Sequence, residues 1–258
     1  MLRLPWRDAA VAWVAPSQVG VALRRRGWRS ASAPLHQMLL ATPADAAAAL
    51  GRLAGDAQAS QASTRIVVSN RFVRTALLPQ GQVLRGAAER QLAAREVLRS
   101  THGDAVDAWT VAVDAQGAAS TLAAALDSDW LAGLLATARQ AGLHAVSVRP
   151  LLALAAAQAW QHLAGREAWL LVTEPDGAML ARIDAQGAWL SLRSADAGGV
   201  SLAQWLARCS LLDGIAPASL PLVHAAWDWA APALDHGAVL ADGWDLRPLP
   251  LGPDALWR

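Results

Sequence analysis

The sequence predicts an α/β protein in which one small architecture occurs twice: an antiparallel meander, then a helix, then an apolar strand. Three observations carry that expectation. Ala168 to Arg193, AWLLVTEPDGAMLARIDAQGAWLSLR, holds three runs rich in Leu, Val, Ile and Trp. The separators Glu174-Pro175-Asp176-Gly177 and Asp184-Ala185-Gln186-Gly187 carry the Pro, Asp and Gly chemistry of tight turns. A looser copy lies near the amino terminus: Ala12-Trp13-Val14-Ala15, the turn Pro16-Ser17-Gln18, the run Val19 to Arg26, and Gly27 ahead of Trp28. In each half a helical segment and an apolar strand follow, so the chain reads as two β-β-β-α-β units with mixed sheets flanked by helices.

Taken in order, Met1 to Asp8 is too short and proline-broken to form an element of its own. The first meander runs from about Ala10 to Leu40, with Pro34 interrupting its third strand as an edge strand tolerates. Thr42-Pro43 starts an Ala-rich helix that fades at Gly55, with Thr42 as N-cap. Thr64 to Asn70 is an apolar strand, and Arg71 to Leu78 continues it in extended form. Arg85 to Ser100 shows helical spacing through Leu84, Ala88, Leu92 and Val97. Trp109 to Asp114 alternates as a strand does, and Ala118 to Leu126 is its hairpin partner. Asp127-Ser128-Asp129 caps a helix over Trp130 to Ala141 that stops at Gly142. His144 to Val148 is a strand, and Pro150 opens an apolar helix reaching Leu163. After the second meander come a helix over Leu202 to Leu211 and a strand over Leu220 to Ala226. The remainder, to Arg258, reads as a short appended α/β piece or an ordered tail.

Composition excludes several classes of function. The net charge of +1 and the scattered arginines give no basic groove, so nucleic acid is not an expected partner. Arg24-Arg25-Arg26 reads as a solvated strand end. The chain contains no lysine, which removes lysine-based phosphate loops, Schiff bases and lysine general bases. Its single cysteine, Cys209, falls in a helical stretch and reads as a structural thiol suited to a reducing compartment. His102, His144, His162, His224 and His236 share no short spacing, so no metal site is expected. No catalytic Ser/His/Asp set can be nominated. With no apolar run of transmembrane length and no cleavable leader pattern, a cytoplasmic location is expected.

Two such units in tandem, with further elements inserted after the first, resemble the duplicated ribonuclease-H-like (actin-like ATPase) fold. Trp130 to Trp160, WLAGLLATARQAGLHAVSVRPLLALAAAQAW, together with the Ala168 to Arg193 meander, resembles the actin-like proteins of bacterial pilus and secretion machines. These are PilM of type IV pili and the cytoplasmic domain of GspL of type II secretion. Val67 to Pro79, VVSNRFVRTALLP, is similar to the second strand pair of the GspL-like group. The resemblance implies residues 1–8 as an amino-terminal segment and 9–165 as a first subdomain carrying an inserted α/β region at about 71–149. Residues 166–258 would form a second subdomain with a tail.

It also implies where nucleotide would sit, because backbone N–H groups in the meander turns would face phosphate. Active members place Asp-x-Gly there, giving a carboxylate for magnesium and a glycine for close approach. Here the first turn reads Ala15-Pro16-Ser17-Gln18 and has neither. In the second, Asp176-Gly177 is already explained as a hairpin turn. The junction where a glycine pair would admit base and ribose reads His224-Ala225-Ala226-Trp227. If ATP and magnesium bind at all, Ser17, Gln18, Asp176 and Gly177 are the residues that would face them. Otherwise no cofactor is expected.

Trp13, Trp109, Trp169 and Trp189 stand at strand ends and read as packing residues. Trp6, Trp28, Trp244 and Trp257 lie outside periodic segments and are the expected interface anchors, with Leu4 and Arg7. Leu2-Arg3-Leu4-Pro5-Trp6-Arg7-Asp8 resembles the Asn-Leu-Leu-Pro-Trp-Arg-Glu segment of PilN-type proteins that docks in a groove of PilM. That resemblance implies that the amino terminus occupies such a groove, in its own subunit or in a neighbour of a homo-oligomer.

The expected function is a non-catalytic scaffold, a pseudo-ATPase, of a type IV pilus or type II secretion-like assembly platform. It would be held at the inner membrane through membrane-protein partners. The alternative is an actin-like ATP-binding protein, ATPase or kinase using Asp176, Asp196 and arginines in an atypical site.

Overall fold

The structure is a computed structural model. It describes residues 8–24, 36–59, 61–78, 86–113, 121–163, 165–196, 201–226 and 243–251. In chain order the elements are β1 (Ala9–Val14), β2 (Gln18–Arg24), β3 (His36–Leu39), α1 (Ala46–Asp56), β4 (Ser63–Val68), β5 (Arg74–Leu77), α2 (Ala87–His102), β6 (Trp109–Val113) and β7 (Leu122–Asp127). There follow α3 (Ser128–Gln140), β8 (His144–Pro150), α4 (Leu151–Leu163), β9 (Ala168–Glu174), β10 (Gly177–Ile183), β11 (Trp189–Asp196), α5 (Leu202–Asp213), β12 (Pro221–Ala226) and β13 (Asp245–Pro250). They form two compact units. The first draws its described residues from Met1–Val73 and Asp127–Leu151, the second from Arg74–Leu126 and Leu152–Leu251.

The first unit is built on a five-stranded sheet ordered β3-β2-β1-β4-β8. β1 and β2 are antiparallel, as are β2 and β3, whereas β4 and β8 run parallel to β1. β1 is almost wholly buried because both of its faces carry Ala, Val or Trp. α1 turns Ala46, Ala49, Leu50, Leu53 and Ala54 inward, the i, i+3, i+4, i+7, i+8 stripe of a core-facing helix. Its start differs from the expectation. Thr42 precedes a 3₁₀ turn over Pro43–Asp45, and its hydroxyl bonds the Asp45 carboxylate at 3.0 Å instead of capping the backbone. α3 is capped as expected, with Asp127 Oδ1 accepting from Trp130 N at 2.8 Å.

The second unit holds a five-stranded sheet of matching order, β11-β10-β9-β12-β13. Its directions match as well: β9, β10 and β11 form the antiparallel meander, and β12 and β13 run parallel to β9. Register places Trp169, Leu171, Leu180 and Leu222 on one face, where Trp205, Leu206 and Cys209 of α5 pack against them. A smaller three-stranded sheet, β5-β7-β6, lies in the same unit with α2 on one face.

Four expectations are corrected. β4 does not continue into β5. The chain turns at Ser69, where Phe72 N donates to Ser69 O at 3.1 Å and Ser69 Oγ accepts from Arg71 N at 3.1 Å, and β5 joins a different sheet. The inserted region is shorter than 71–149, because β8 pairs with β4 as the fifth strand of the first sheet. The carboxy-terminal piece is not appended, because its β13 is the equivalent fifth strand of the second sheet. The inward face of α2 is not the one marked by Leu92, which is 63% exposed. Ala94 and Leu98 are buried instead, and Gln91 and Arg95 reach the carbonyls of Val111 (2.6 Å) and Trp109 (3.3 Å) on β6. A helix packed on a sheet face can also reach the carbonyls of the edge strand with its polar side chains.

Candidate functional site

Each meander opens with a two-residue hairpin loop that begins with proline. In the first unit, Pro16 and Ser17 join β1 to β2, with Ala15 N donating to Gln18 O at 2.8 Å and Leu40 N to Ser17 O at 2.8 Å. The Ala15 N–H and the Ser17 carbonyl of this bend are therefore engaged within the sheet. Gln18 is 6% exposed, and its Nε2 has no hydrogen-bond partner. It supplies one neutral buried donor and no carboxylate.

In the second unit, Pro175 and Asp176 join β9 to β10, and Gly177 pairs with Glu174 on one side and Asp196 on the other. A Cβ on Gly177 would stand 2.5 Å from the Ala195 carbonyl oxygen. The glycine is therefore required by the close approach of β11, and the space it leaves is filled by protein backbone. Asp176 and Asp196 do lie at the same end of this hairpin, Asp176 half-buried and Asp196 exposed.

At the neighbouring strand ends, Thr173 of β9 and His224 of β12 share the sheet face that carries Trp169 and Leu222. Both are buried, with Thr173 Oγ1 and His224 Nε2 at 2.8 Å. Ala225 is fully buried and Ala226 half-buried; Trp227 lies outside the described residues. This pair was not anticipated, and no short motif could have revealed it, because its members are 51 residues apart.

A triphosphate with magnesium, as the resemblance implies, does not fit these residues. The first bend offers an amide where a carboxylate is needed, the glycine of the second is occupied by Ala195, and the strand ends beside it close on the Thr173–His224 bond. Among the described residues no three His, Cys, Asp or Glu side chains are grouped to hold a metal.

No family profile and no curated protein sequence matches this chain. Solved structures do. A chain of the PilM–PilN type IV pilus biogenesis complex superposes with a TM-score of 0.69 at 17% identity, covering 95% of this chain and 89% of that one. A Bacteroides thetaiotaomicron protein described as having an actin-like ATPase fold gives 0.66 at 9% identity, covering 97% and 94%. The chain has the actin-like ATPase fold. The cytoplasmic domain of EpsL, an inner-membrane component of the type II secretion system of Vibrio cholerae, adopts it too, with a TM-score of 0.59 at 14% identity over 95% of this chain and 90% of that one.

On this actin-like frame the expected partner-binding residues separate. Leu4, Trp6, Arg7, Trp28 and Trp257 lie outside the described residues. Trp244 is not an exposed anchor: it is 2% exposed and meets Trp169 edge to face, with ring centroids 6.1 Å apart. The interior takes it because β13 begins at the next residue and carries it under the sheet with Leu246. The strand-end tryptophans pack as expected, Trp13, Trp169 and Trp189 being buried and Trp109 half-buried. Among the described residues, an exposed tryptophan that sequence reasoning passed over is Trp160 on α4, whose ring lies against Gly187.

Proposed function

We propose that this chain is a non-catalytic actin-like scaffold of a type IV pilus or type II secretion-like assembly platform, working through protein contacts at the cytoplasmic face of the inner membrane. The observation that supports the reading is the pair of residues, Gln18 and a sheet-bound Gly177, at the two bends of an intact duplicated fold. Both five-stranded sheets are preserved strand for strand, whereas the bend that should carry a carboxylate carries Gln18, and Gly177 serves its own sheet. The likeness to a chain of the PilM–PilN complex and to cytoplasmic EpsL supports the choice of machine. Membrane components of the platform would be the partners and would account for attachment, since no helix among the described residues is long and apolar enough to cross a membrane.

Two measurements test the proposal. Magnesium-ATP titrated against tryptophan fluorescence is expected to give no saturable signal, and affinity purification from the native cell is expected to retain inner-membrane assembly-platform proteins. Saturable micromolar binding with turnover would establish instead an actin-like ATPase or kinase working through Asp176 and Asp196.

A further inference from the structure

We draw no further inference here: the strongest candidate, the surface patch where Leu211 (81% exposed) and Leu212 (60% exposed) stand side by side at the carboxyl end of α5, carries nothing, because nothing in the structure shows what covers it.

Discussion

Asp213, the last residue of α5, is ion-paired with Arg193 of β11, and Ser191 donates a 2.5 Å hydrogen bond to its other carboxylate oxygen. Burial pushes the carboxyl up. The hydrogen bonds from Ser191 and Arg193, with the charges of Arg193 and Arg182, outweigh burial and hold it below the usual carboxylate range. A group with a depressed folded pKa contributes stability that is present above its unfolded value of about 3.9 and lost as pH falls through the folded value. Asp213→Asn is expected to cost about 1–3 kcal/mol at neutral pH. Its disadvantage should shrink as the pH drops beneath the ordinary carboxylate range. Urea unfolding at neutral and acidic pH checks this, and a penalty unchanged by pH contradicts it.

Gly177 gives a prediction of a different kind. The atom that an added methyl would meet is backbone oxygen on β11, which cannot rotate away. Gly177→Ala is expected to destabilise the second sheet by about 2–3 kcal/mol, seen as a lower thermal midpoint. Were this glycine kept free to receive a phosphate, the same substitution would leave the midpoint of the unliganded protein in place.

How far the sequence could be read depended on which signal each element used. The meander at Ala168 to Arg193 announced itself because turn residues and short apolar runs agree, and the structure has β9, β10 and β11 there. The likeness of the two meanders does not extend to their tryptophans: Trp13 stands three residues before its hairpin proline and Trp169 six before its own. β13 was hidden because Pro248 and Pro250 read as strand breakers, and only the edge of a sheet accepts them. α2 misled through Leu92. Its inward side includes Gln91 and Arg95, which serve β6, and hydrophobic spacing alone gives no weight to such residues. At the candidate site the bends were read correctly as hairpins, whereas the Thr173–His224 contact depends on strand pairing and has no local trace.

That buried contact is directly testable. Thr173→Val keeps the shape of the side chain and removes the hydroxyl that meets His224 Nε2 at 2.8 Å. A buried polar atom left without this partner costs about 1–3 kcal/mol. Combined with His224→Leu, the change should cost less than the sum of the two single changes, because each of them breaks the same bond. Strictly additive losses in chemical denaturation would show that the pair contributes nothing as a pair.

Trp244 separates interior from interface. An exposed anchor, when truncated, weakens association and leaves the free protein as stable as before. Trp244 is 2% exposed, packs on Trp169, and shares a core with Leu171, Leu206 and Cys209. Trp244→Ala should therefore open a cavity and cost about 3–5 kcal/mol. The loosened core should also expose Cys209, whose thiol burial holds in its protonated, unreactive form. Native protein is expected to resist a thiol reagent such as Ellman's at neutral pH, and the variant to react many-fold faster. Equal rates in the two proteins, with unchanged unfolding midpoints, would return Trp244 to the surface as a partner contact.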